Sequence, residues 1–164
     1  MSDTEDLASL RTVADYQFGR GAGAALFPPS EADSLSVSRS TSGRPRQVRA
    51  GDDRLVTYAV DGRFTLGLAG GRRLVDALAD PANRVVVGSE SEPFVRDGKN
   101  VFAKFVRAVD PAVRPGDEVA VVHERGDLLG VGRAELSAAA MGDFETGMAV
   151  MVRRGAGDAA DAGE

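Results

Sequence analysis

The 164-residue chain contains no cysteine, no tryptophan and a single histidine, His123. The absence of cysteine excludes disulfides, thiolate catalysis and cysteine-based zinc sites together. With one histidine, a transition-metal site is not expected either. No apolar run approaches the roughly 20 residues that a membrane helix needs. The start, Met1-Ser2-Asp3-Thr4-Glu5-Asp6, is acidic where a secretory signal is basic. The expectation is a soluble, cytoplasmic protein without cofactor. Lysine is also nearly absent: of 20 basic side chains only Lys99 and Lys104 are lysines. The net charge of -5 disfavours phosphate binding, which rests on lysine and arginine. An acidic, lysine-poor and arginine-rich composition fits a halophilic protein or a GC-rich genome equally. Net charge therefore excludes no RNA partner, and the placement of the basic residues has to decide.

Apolar residues make up 43% of the chain and are spread along it, as in a globular protein. Leu7, Leu10, Val13 and Ala14 stand at helical spacing after the acidic start, with Ser2, Asp3 and Thr4 able to cap the helix. Pro28-Pro29 ends the short helical stretch Ala24 to Phe27. From Leu35 the period becomes two, which predicts strands around Val37, Val48 and Leu55 to Val60, and Asp61-Gly62 marks a hairpin into Phe64 to Gly67. A helix is expected from Arg72 to Leu78. Asp80-Pro81 is the expected domain boundary. Beyond it the pattern predicts a strand at Arg84 to Gly88 and a short helix around Pro93-Phe94-Val95 that ends at Asp97-Gly98. One long strand is expected from Asn100 to Val106, then strands at Glu118 to His123, Leu128 to Leu136 and Met148 to Val152. Ser137 is expected to cap a helix from Ala138 to Phe144. Residues 156–164, rich in Gly, Ala and Asp, read as a disordered tail.

Catalytic signals are weak. Gly19-x-Gly21-x-Gly23 lacks the preceding strand and third glycine of a dinucleotide loop, so a structural turn is the better reading. His123 reads as a partly exposed strand residue with no nucleophile to activate. The carboxylates fall in turns and helix starts, where turn chemistry accounts for them. The positive signal is Gly98-Lys99-Asn100-Val101-Phe102-Ala103-Lys104, which gathers both lysines on one loop and strand. Glycine permits close backbone approach and lysine supplies phosphate-directed charge, although a helix-capping glycine before an ordinary strand explains the same residues. Arg133, Arg153 and Arg154 are further candidates. Arg44, Arg46 and Arg49 make a second basic cluster.

Three stretches, Glu92-Pro93-Phe94-Val95-x-x-Gly98-Lys99-Asn100-Val101-Phe102-Ala103-Lys104-Phe105-Val106, Arg114-Pro115-Gly116-Asp117-Glu118-Val119 and Leu128-Leu129-Gly130-Val131-Gly132-Arg133-Ala134, resemble the PUA domain. The version they resemble most is that of archaeal tRNA-guanine transglycosylase. Ala14-Asp15-Tyr16-Gln17-Phe18-Gly19 and Gly62-Arg63-Phe64-Thr65-Leu66-Gly67 are similar to the small domain that precedes PUA there. The resemblance implies an α+β chain, with a small N-terminal α/β domain over 1–79 packed against a PUA-type β pseudo-barrel with short helices over 80–155. It further implies a non-catalytic RNA-binding protein, tRNA being the foremost partner, with Gly98, Lys99, Asn100 and Lys104 facing the RNA. The catalytic barrel of that enzyme has no counterpart in this sequence. Two other functions stay open: an accessory subunit for a separate tRNA-modifying catalytic chain, and a ribosome-assembly or translation factor.

Overall fold

The computed structural model describes residues 3–158, and the chain divides into two compact units, Met1–Leu78 and Ala79–Glu164. In the first, helix α1 (Asp3–Phe18) buries Leu7, Leu10, Ala14 and Phe18, the i, i+3, i+7, i+11 stripe of an amphipathic helix. Asp6 is buried on the same helix and is ion-paired to Arg39. Helix α2 (Ala22–Leu26) lies so close to α1 that a Cβ on Gly23 would sit 2.4 Å from the Arg11 carbonyl oxygen. The Gly23 N–H donates to Asp15 Oδ1 at 2.7 Å. The glycine cluster is thus a helix-to-helix turn whose Gly23 amide is already bonded. A 3-10 turn, Pro29–Ser34, follows the two prolines and has no counterpart among the sequence expectations.

Strands β1 (Leu35–Arg39), β2 (Pro45–Ala50), β3 (Asp53–Tyr58) and β4 (Phe64–Leu66) form an antiparallel meander in chain order. Val37, Val48, Val56 and Leu66 are aligned across it, and Ser38, Gln47, Thr57 and Thr65 form the neighbouring row. Because side chains alternate along a strand, the first row faces the core and the second turns outward. Phe27 meets Phe64 edge to face at 5.9 Å within the core. Helix α3 (Leu68–Ala77) begins four residues before its expected start and runs through Gly70-Gly71. Glycine reads locally as a breaker, but a Cβ on Gly70 would lie 2.0 Å from the Leu55 carbonyl oxygen. Tertiary packing of the helix on β3 therefore overrides helix propensity.

The second unit holds a six-stranded sheet in the order β6-β10-β9-β8-β5-β7. Its strands are β5 (Arg84–Val87), β6 (Val101–Phe102), β7 (Val106–Val109), β8 (Glu118–His123), β9 (Leu128–Ala134) and β10 (Met148–Gly155), with helices α4 (Glu92–Arg96) and α5 (Ala138–Asp143). The long strand expected from Asn100 to Val106 is instead two strands separated by a 3-10 turn, Ala103–Phe105. β6 pairs with β10 and β7 with β5, so consecutive segments supply the two outer strands of the sheet. The sheet consequently curls into the nearly closed pseudo-barrel that the resemblance implies. Val85, Val87, Val119, Val121, Leu129 and Val150 fill it. Gly132 lets β9 and β10 approach: a Cβ there would sit 2.2 Å from the Met151 carbonyl oxygen. Ser137 caps α5 as expected, its side chain accepting from the Ala140 N–H at 3.1 Å. The tail expected to be disordered from residue 156 is held back at its start. The Ala156 N–H donates to Leu129 O at 2.8 Å and the Gly157 N–H to Arg96 O at 2.9 Å. The rest of that segment, 159–164, lies outside the described residues.

Candidate nucleic-acid interface

Helix α4 ends in a left-handed turn. Gly98 has φ +87°, its N–H donates to Val95 O, and the Lys99 N–H reaches back to Phe94 O, both at 2.9 Å. These paired bonds satisfy carbonyls that the helix end leaves open, and the conformation they need favours glycine. Gly98 is therefore first a helix terminator. Its effect is to turn the chain so that Lys99 and Asn100 stand beside α4 and lead into β6.

Between α4 and β6 lies a groove of about 280 Å³, lined chiefly by Phe94, Val95, Lys99, Asn100, Phe102 and Phe105, with Glu90 and Ser91 also contributing. Phe94 is 61% and Phe102 49% exposed, although their neighbours Val95 and Val101 are buried. Lys104 Nζ stands 5.1 Å from the Phe105 ring centroid. Lys99 and Lys104 are exposed and form no ion pair among the described residues. Solvent-facing aromatic rings with unpaired cations beside them are suited to stacking unpaired bases while attracting their phosphates. Asn100 is tied to the neighbouring strand through its side chain. Its Oδ1 accepts from the Val152 N–H at 3.0 Å, which anchors the side chain to β10 and leaves its amide N–H groups to donate to a ligand.

The arginines divide. Arg154 and Arg46 are exposed and form no ion pair among the described residues. Arg133 is exposed on β9, 3.3 Å from Glu135. Arg153 does not stand free to meet phosphate: both its terminal nitrogens bond the carboxylate of buried Glu118. Arg44 is likewise occupied within the fold, lying 4.5 Å over the Tyr58 ring and donating to Ala59 O. Arg49 bonds Asp52 O and Gln47 Oε1. Arg44, Arg46 and Arg49 belong to the first unit, and the groove to the second. The sequence reading missed the aromatic lining. The signal available was alternation, since Val101 and Ala103 point inward and the intervening Phe102 must then point out.

Ionic pairing surrounds α4. The hydrogen bond from Arg125, with a second from Arg96, holds the Glu92 carboxyl below the usual carboxylate range in spite of some burial. The Arg107 bond does the same for Glu90. His123 is buried, contrary to its expected partial exposure, and Ser89 Oγ lies 2.9 Å from its Nε2. This looks like a nucleophile–base pair, but the hydrogen-bond pattern opposes that role. His123 Nδ1 accepts from the Arg125 N–H at 3.0 Å, which assigns the neutral ring's proton to Nε2. Nε2 then donates to Ser89 and has no lone pair with which to take its proton. Among the described residues no group of three or more His, Asp or Glu side chains is placed to hold a metal ion. No helix among them is long and apolar enough to cross a membrane.

A curled six-stranded sheet with its groove beside the short helix defines a PUA-domain protein, and residues 83–156 match the PUA domain family. Residues 8–81 match the patch-forming domain C2 of tRNA-guanine transglycosylase. The two matches together span residues 8–156, and the chain aligns with the C-terminal portion of archaeal tRNA-guanine(15) transglycosylase. It is 48% identical over 147 residues to that enzyme from Pyrococcus furiosus, covering 89% of this chain and 24% of the enzyme. With the enzyme from Methanothermobacter thermautotrophicus the identity is 45% over 153 residues, or 92% of this chain and 23% of the enzyme. The chain therefore spans about a quarter of the length of the curated relatives it matches. Two solved structures share the fold at low identity. A hypothetical protein from Pyrococcus horikoshii, PH0734.1, aligns with TM-score 0.73 at 22% identity over 98% of this chain and 95% of its own. A conserved PUA domain protein from Thermoplasma acidophilum aligns with TM-score 0.65 at 20% identity, over 99% of this chain and 96% of its own.

Proposed function

We propose that this chain binds structured RNA, tRNA foremost, through the α4–β6 groove, and serves tRNA modification without a turnover of its own. The observation that carries the reading is that Lys99 lines the groove with exposed Phe94 and Phe102 while Lys104 stands over Phe105 of the same groove, these being the only two lysines in the sequence. In a chain of net charge -5, both are placed beside the same aromatic groove. The proton arrangement at Ser89 and His123 supports the non-catalytic part. The matched residues are those of the C2 and PUA domains of the transglycosylases. The same match favours a catalytic partner, because the relatives join these domains to a much longer chain.

Fluorescence anisotropy with labelled tRNA, on variants of confirmed melting temperature, tests the reading. Lys99→Ala is expected to lose on the order of 1 kcal/mol of binding, as for a charge-assisted contact. Phe102→Ala is expected to lose about 1–3 kcal/mol if a base stacks on it. Unchanged affinity in both folded variants would remove the groove from the interface.

A further inference from the structure

The first unit carries an uncovered surface that the groove does not explain. In the antiparallel meander the β1–β2 and β3–β4 turns lie at the same end of the sheet. Three internal bonds fix that end. Arg44 stacks on Tyr58 and donates to Ala59 O, tying one turn to the other. The Gln17 side chain pairs with the Phe64 backbone in both directions, at 2.9 and 2.7 Å, which locks the last turn of α1 onto the first residue of β4. The side chains next to these anchors are nonetheless bare: Tyr16 is 96% and Val60 94% exposed. A rigid support presenting an uncovered aromatic ring and an uncovered apolar tip is preorganised for a ligand.

The charge at this end selects the ligand. Arg39 there is paired with Asp3 and Asp6; beside that pair stand Arg20, Arg44, Arg46 and Arg63, against Asp15 and Asp61. One oxygen of each of those carboxylates already accepts a backbone N–H, from Gly23 and Arg63 respectively. The register skip between Ser38 and Arg39 leaves Arg46 without a partner on β1, as a bulge whose side chain is exposed. Arg20 and Arg46 form no ion pair among the described residues. A locally cationic surface on an anionic chain, carrying an exposed phenol ring, complements a phosphodiester backbone and its sugars and bases.

We infer that the turn end of the β1–β4 sheet, with Tyr16, Arg20 and Arg46 as its contact residues, is a second RNA-binding surface that grips the backbone of a folded RNA. The inference rests on the chain being an RNA binder but not on the α4–β6 groove being the place where it binds. The test uses the full chain and two labelled probes: a single-stranded hexanucleotide, and an RNA hairpin carrying the same six nucleotides as its 3′ extension. Tyr16→Ala and the Arg20→Ala/Arg46→Ala double variant are expected to weaken hairpin binding roughly fivefold or more. The double variant should also flatten the salt dependence of the hairpin complex by about two units of log–log slope. Hexanucleotide binding should be unchanged in both. Arg114→Ala, which removes one exposed charge on the other unit, should leave both probes unaffected. Lys99→Ala should weaken both probes if the groove reading is right. If Lys99→Ala affects neither probe while Tyr16→Ala still weakens the hairpin, the groove reading fails and this inference stands. Parent-like hairpin affinity in Tyr16→Ala and in the double variant would overturn it and leave the surface to a protein partner.

Discussion

Replacing Arg153 by alanine separates a structural arginine from an RNA-binding one. Glu118 is only 6% exposed, and Arg153, at 35%, bonds both of its carboxylate oxygens, with Nη1 to Oε2 at 3.1 Å. An exposed ion pair contributes about 0–1 kcal/mol, and breaking a fully buried one costs roughly 3–5 kcal/mol. This pair has one buried and one partly solvated end, so Arg153→Ala should cost on the order of 2 kcal/mol. With a urea dependence of about 2 kcal/mol/M, the unfolding midpoint should fall by roughly 1 M. Most of the cost is the carboxylate left in the interior without its guanidinium. Replacing both partners by apolar residues, Arg153→Met with Glu118→Leu, should therefore recover much of the loss. Urea unfolding followed by circular dichroism reads the stability, and anisotropy with labelled tRNA, under conditions where the variant is folded, reads the binding. An Arg153→Ala protein as stable as the parent but impaired in binding would refute the argument and return Arg153 to the RNA-facing set.

Gly98→Ala should destabilise the protein by roughly 1 kcal/mol, because an L residue at φ +87° is strained while no atom lies within 4 Å of the added Cβ. Gly98→Asn should recover part of that, and thermal melts of the two variants check the order. The Glu92 carboxyl titrates lower in the folded chain than in the unfolded one, chiefly through the Arg125 bond. Its stabilising contribution is thus fully present above the ordinary glutamate pKa of about 4.3 and is lost as pH falls through the lower folded value. Parent and Glu92→Gln should accordingly differ in urea midpoint at pH 7 and draw together as the pH falls below the ordinary glutamate range, and a gap independent of pH would contradict the assignment.

Local patterns carried much of this protein. The spacing of Leu7, Leu10 and Ala14, the alternation around Val48 and Val56, and the apolar run Val119 to Val122 of β8 each report a pattern that burial enforces within a few residues. The motif around Gly98 to Lys104 marked the loop that lines the aromatic groove, because helix termination and the charge of two lysines are properties of adjacent residues. The missed features depend on partners far along the chain. Whether Asn100 to Val106 is one strand or two depends on β10 and β5 competing for it, which an apolar run cannot express. Whether Gly70 breaks a helix depends on the Leu55 carbonyl beneath it. An arginine in a string of letters carries the same charge whether it faces water or not. Arg153 became a structural residue because the fold buried Glu118 across the sheet from it, and Arg46 stayed free because a bulge turned it outward. Residue type and spacing determine which groups can bind RNA. Long-range packing determines which of them remain unbonded to do so, since it alone distributes the buried charges and backbone groups that must be satisfied first.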